Sequence, residues 1–176
     1  MRNVLIVGGV CVLAVIIGAW LFLTHPATRL LVPPGVDTPQ ASESREVKFK
    51  VLDQGMNAKE ITSRKNYAIY DASELADFWK KVHGDDGAPV PTVDFSKNYV
   101  IAVFAGTEPT GGYTISVDKI IDTGNTRSVS VVIGEPGAEC TVIEEITSPY
   151  QLVVVPFSDA QALSHTDVRT KKDCNS

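Results

Sequence analysis

Twenty consecutive residues near the start, Val4–Leu23, carry no charge and read VLIVGGVCVLAVIIGAWLFL. A helix of that length spans roughly 30 Å, the thickness of the bilayer hydrocarbon. Beyond it the pattern changes period. Val47, Phe49 and Val51 alternate with Lys48 and Lys50, as in a half-buried strand. Tyr67–Tyr70 is a second short strand after the polar Ser63–Asn66. Asp71-Ala-Ser-Glu74 has the form of a capping box, and Leu75, Phe78, Trp79 and Val82 follow on one helical face, closed by Gly84. Asp85–Asp94 reads as a loop with Gly87, Pro89 and Pro91.

From Asn98 onward the pattern is wholly that of strands. Tyr99–Ala105 is a continuous apolar run, expected of a central strand. Tyr113–Ile121 alternates, Asp122-Thr-Gly-Asn125 turns, and Val129, Val131 and Ile133 alternate again with serines. Gly134–Glu139 is a Pro/Gly loop. Cys140–Ile146 and Gln151–Phe157 are expected as a last antiparallel pair joined by Thr147-Ser-Pro-Tyr150. The whole predicts an α+β fold, a mostly antiparallel sheet with one packed amphipathic helix, preceded by an N-terminal transmembrane helix.

The chain therefore divides into a tip (1–3), a transmembrane anchor (4–23), a Pro-rich linker (24–45), an α+β domain (46–163) and a C-terminal tail (164–176). A cleaved signal peptide is the alternative to the anchor. Its apolar core would be shorter and followed by a small-x-small site, and Thr24-His-Pro-Ala27 is a poor one. Trp20 suits the interface. The α-amine and Arg2 before the span, against His25 and Arg29 after it, lean toward a cytoplasmic N-terminus. The expected location is a single-pass cell-membrane protein with an extracytoplasmic C-terminal domain. Pro26, Pro33, Pro34 and Pro39 make the linker an extended spacer.

The chain has 176 residues and a net charge of −5. That balance, with no basic stripe, argues against a nucleic-acid partner. Three histidines are present, His25, His83 and His165, and none stands in a catalytic or metal-ligating spacing. No nucleophile elbow, P-loop or dinucleotide fingerprint occurs. The sequence thus points away from an enzyme and implies no cofactor, no metal and no identified small-molecule substrate. Cys140 and Cys174 are either a disulfide of an ectodomain or two free thiols; their spacing alone leaves both open.

One stretch invites a functional reading, Phe104-Ala-Gly-Thr-Glu-Pro-Thr-Gly-Gly-Tyr113. Reversal between two strands needs only two or three residues, and this turn is longer. It is either a shaped loop offering backbone groups, Thr110 and Tyr113 to a partner, or a wide hairpin whose glycines serve geometry. The candidate partner-binding residues are Gly106, Glu108, Pro109, Thr110, Gly111, Gly112 and Tyr113, with Thr147, Ser148, Pro149 and Tyr150 joining them if the strands are neighbours.

Over Asn98–Pro156 the order of elements, with G-T-E-P-T-G-G-Y and later T-S-P-Y, resembles the C-terminal domain family of PrcB, a protease complex subunit. The resemblance implies a non-catalytic cell-envelope protein that assists assembly or stability of a cell-surface protease complex, so the expected partner is a protein, with a surface protease as the candidate. The family namesake is a lipoprotein, whereas Gly8-Gly-Val-Cys11 lacks a lipobox pattern and Val4–Leu23 supplies the membrane attachment instead. Pro109-Thr-Gly-Gly-Tyr113 is also similar to the N-P-T-T-G-Y loop of chagasin-like cysteine protease inhibitors, with Glu108 in place of Asn and Gly112 interrupting the spacing. That similarity implies the alternative of a direct protease inhibitor using the 106–113 loop. A structural envelope domain with no dedicated binding loop is the third reading.

Overall fold

The computed structural model describes residues 43–85, 87–160 and 162–174. The predicted membrane segment Val4–Leu23, and the linker up to residue 42, lie outside the described residues. Among the described residues, no helix is long and apolar enough to cross a membrane.

In chain order the elements are β1 (Ser44–Glu46), β2 (Lys50–Gly55), β3 (Lys65–Ile69), α1 (Ala72–His83), β4 (Asn98–Phe104), β5 (Thr114–Thr123), β6 (Thr126–Pro136), β7 (Tyr150–Pro156) and β8 (Ala162–Lys172). Every residue of β4 from Tyr99 onward is buried. An antiparallel strand covered on one face would alternate, so this run needs cover on both. Both covers are present. Tyr99, Ile101, Val103 and Ala105 face Ile115, Val117 and Ile120 of β5 and Val129, Val131 and Ile133 of β6. On the opposite face, Val100, Ala102 and Phe104 meet Leu75, Phe78, Trp79 and Val82 of α1.

The fold is mostly antiparallel sheet with one helix, but it has two sheets where one was expected. The first has the order β1-β5-β6-β8 and the second β2-β7-β4-β3. The second is the middle layer, between the first sheet and α1. All pairings are antiparallel except β6 with β8, which run parallel over the whole of β8. Residues 164–172, part of the 164–176 segment read from sequence as a tail, belong to this strand.

Three further expectations change for one reason: local alternation marks a strand but not its sheet. The alternating run at 47–51 is split, since β1 pairs with β5 and β2 pairs with β7 in the other sheet. The chain crosses at Val47–Phe49, and the Val47 N–H reaches Ile120 O at 2.8 Å. β4 and β5, expected as the arms of one turn, belong to different sheets. Residues 140–146, expected as a strand pairing with β7, form no strand; β7 lies between β2 and β4.

Helix α1 forms where its periodicity placed it, with the four predicted apolar residues buried. The Asp71 side chain accepts from Glu74 N–H at 2.8 Å, and the Glu74 carboxylate accepts from Tyr70 N–H at 3.0 Å. At the other end Gly84, at φ 81°, donates its N–H to Lys80 O. The two sheets are also joined along one side. Arg64, just before β3, donates from Nε to Asp167 of β8 at 2.9 Å and from Nη1 to Phe104 O at 3.0 Å.

Candidate functional site

The 106–113 loop carries the chain from the middle of one sheet to the middle of the other. Its length follows from that crossing. It is bound along its course to two other segments. Ala105 N–H donates to Pro149 O at 2.9 Å and Thr107 N–H to Thr62 O at 2.9 Å. Glu108 and Thr147 exchange backbone bonds, at 2.8 and 3.0 Å, and Gly111 N–H donates to Ile143 O at 2.9 Å. The Thr147 hydroxyl adds a bond to Thr110 O at 2.9 Å.

Two glycines answer specific constraints. Gly106 sits at φ 93°, and a Cβ there would lie 2.8 Å from the Arg64 nitrogen. Gly111 passes so close to Ile143 that a Cβ would lie 2.6 Å from its Cγ1.

Burial sorts the eleven candidate residues into two groups. Pro109 and Gly112 are exposed, and Glu108, Thr110 and Tyr113 are half-buried. Gly106, Gly111, Thr147, Ser148, Pro149 and Tyr150 are buried. The T-S-P-Y element is therefore adjacent to the loop but lies beneath it and does not share its surface. Its polar groups are committed internally. The Ser148 hydroxyl donates to Ile61 O at 2.8 Å, and Ser148 N–H donates to Met56 O at 2.6 Å. The Tyr150 phenol donates to Asp53 at 3.0 Å, and the same carboxylate oxygen lies 2.9 Å from His83 Nε2. Burial and the adjoining Asp53 carboxylate push the Tyr150 phenol up from its ordinary pKa. These contacts fix β2, β7 and the end of α1 to one another, and Tyr150 serves as a brace.

Glu108 is the carboxylate of the loop. Burial holds its carboxyl above the usual range, and the opposing charge of Arg169 only partly offsets this. Beside the loop, Gln54, Gly55, Met56, Thr114, Ile115, Ser116, Pro149 and Tyr150 line an open groove of about 300 Å³. Among the described residues, no group of three or more His, Cys, Asp or Glu is placed to hold a metal ion.

The sequence reading missed the segment that pairs with the loop. Residues 140–146 lie beside it, with Ile143 O accepting from Gly111 N–H, and Ile143 and Ile146 are 64% and 70% exposed. A signal was present: Val142-Ile143 and Glu144-Glu145 are like-with-like neighbours, which breaks the period of two required of a half-buried strand. Cys140, at the start of this segment, is bonded to Cys174, with a Cα–Cα distance of 5.1 Å. The Gly137 N–H donates to Lys172 O at 3.0 Å beside that bond.

Comparisons with curated proteins and with solved structures gave no match. Residues 99–156, which run from β4 through β7 and include both loops, match the model of the family described as PrcB C-terminal, and over this third of the chain the protein is similar to that family.

Proposed function

We propose that this chain is a non-catalytic, membrane-anchored, extracytoplasmic protein-interaction module that assists assembly or stability of a cell-surface protease complex. The observation that carries the reading is that the family match coincides with the braced loop and the strands that hold it. The uncharged Val4–Leu23 supports the anchor. The bonded Cys140–Cys174 pair supports an oxidising compartment. The groups the loop offers are Glu108, Pro109, Thr110 and Tyr113, a set suited to docking and lacking a nucleophile with its base.

The test is capture of partners from crosslinked membranes by the tagged full-length protein. The variants to compare with wild type are Pro109→Asp and Tyr113→Ala, because they alter what the loop offers. Substituting Gly106 or Gly111 would instead disturb its packing. The expected outcome is a surface protease, or a subunit bound to one, whose capture falls about tenfold in either variant while circular dichroism is unchanged. Equal capture by wild type and well-folded variants would return the loop to a purely structural role. Stoichiometric loss of the captured protease's activity on adding this protein would favour the inhibitor reading.

A further inference from the structure

We infer that residues 140–146 are the anchoring element of the interaction surface, seating Ile143 and Ile146 in an apolar groove of a protein partner whose rim carries Lys or Arg. The inference rests on the interaction-module reading above and adds the anchor and the partner's chemistry.

Single exposed hydrophobic residues are ordinary on protein surfaces. These two differ in degree and in setting. Among the described residues they are the most exposed of the large hydrophobics, at 64% and 70%. They lie three apart on a segment outside any strand that is nonetheless fixed at three points. At its start is the Cys140–Cys174 bond, reinforced by Cys140 N–H donating to Gly137 O at 3.0 Å. At its end is the reciprocal Glu108–Thr147 pair, and between them Gly111 N–H donates to Ile143 O. Gly111 lacks the Cβ that would meet Ile143, so the loop is shaped to let that residue sit where it does. An apolar side chain on a pre-fixed backbone loses little conformational freedom when a partner covers it.

Charge names the partner's rim. Glu139, Glu144 and Glu145 are exposed on and beside the segment. Between Arg127 and Arg169 the sequence contains no Lys or Arg. Cations approach it from β8, where Arg169 is engaged with Glu135 at 2.7 Å and Lys171 and Lys172 run toward the disulfide end. An acidic edge around apolar anchors suits a cationic rim and disfavours an anionic lipid surface.

The experiment places a photocrosslinking residue singly at Ile143, Ile146, Pro109 and Val90 of the full-length protein in its native membranes, with mass spectrometry of the crosslinked peptide. Val90 is the control, an exposed apolar residue in the loop before β4. A non-reducing gel confirms the Cys140–Cys174 bond in each variant. The expected result is crosslinks from 143 and 146, and not from 90, to a partner peptide with apolar residues bounded by Lys or Arg. In a Glu144→Lys/Glu145→Lys background the yield at 143 should fall about tenfold. Crosslinks from Pro109 alone would overturn the inference and leave the interaction reading standing. So would crosslinks from 143 to lipid or to a second copy of this chain, or yields indifferent to charge reversal. Crosslinks from none of the four positions would overturn both.

Discussion

Arg127 is 3% exposed, and a buried guanidinium persists only when its donors are matched. Here Nε and Nη2 donate to the two oxygens of Asp122 at 2.7 and 2.8 Å, and Nη1 donates to Pro156 O at 2.7 Å. The hydrogen bonds from Arg127 hold the Asp122 carboxyl below the usual carboxylate range, against the opposing effect of burial. The folded-state value is thus depressed. Its contribution is present above the unfolded value of about 3.9 and is lost as pH falls through the folded one. Asp122→Asn is expected to cost about 3 kcal/mol at neutral pH, because Arg127 is left underpaired. It should also flatten the decline of stability below about pH 4. Urea titrations across pH read both effects, and an unaltered acid slope would place the sensitivity in another carboxylate.

Among the elements, α1 was fully legible, since Leu75, Phe78, Trp79 and Val82 carry a helical period and Asp71 and Glu74 mark its start. β4 was legible as a central strand from its unbroken apolar run. β8 was not. Each of its residues is exposed, so burial imposes no alternation on Ala162–Lys172 and the sequence reads as a polar tail. The position of residues 140–146 was hidden for a related reason, because their partner is a loop and not a ladder. The candidate stretch 106–113 was legible as a long loop, but not which of its residues are exposed. Nothing local distinguishes Thr110, which lies in the loop, from Thr147, which lies beneath it.

β8 buries no side chain in a core cluster, and its hold on the domain rests chiefly on main-chain pairing with β6, the Ser128–Ser164 hydroxyl bond, the ion pairs of Asp167 and Arg169, and the disulfide. The bond closes a loop with a sequence separation of 34, for which chain entropy gives about 3–4 kcal/mol. In Cys140→Ser/Cys174→Ser, amide exchange across 162–172 should rise by roughly a hundredfold, the effect of about 3 kcal/mol. β4 and β7, at the centre of the other sheet, should keep their protection. Equal loosening of all strands would mean that β8 is integral to the cooperative core.

At the scale of the whole molecule, the earliest strands pair late. β1 pairs with β5 and β2 with β7. Such distant pairing predicts refolding on the millisecond-to-second scale, in contrast to the faster folding of helical bundles, and stopped-flow fluorescence of Trp79 would measure it. It also sets an order of completion. β7 fills the gap between β2 and β4, so the apolar β4 has an open edge until residues 150–156 are delivered. A chain emerging N-terminus first makes its most aggregation-prone strand well before the strand that covers it. The interval between the two, and not the final stability, is when this protein would need to be held by a chaperone. A version ending at residue 149 should never leave that state, remaining insoluble or chaperone-bound however long it is given to fold.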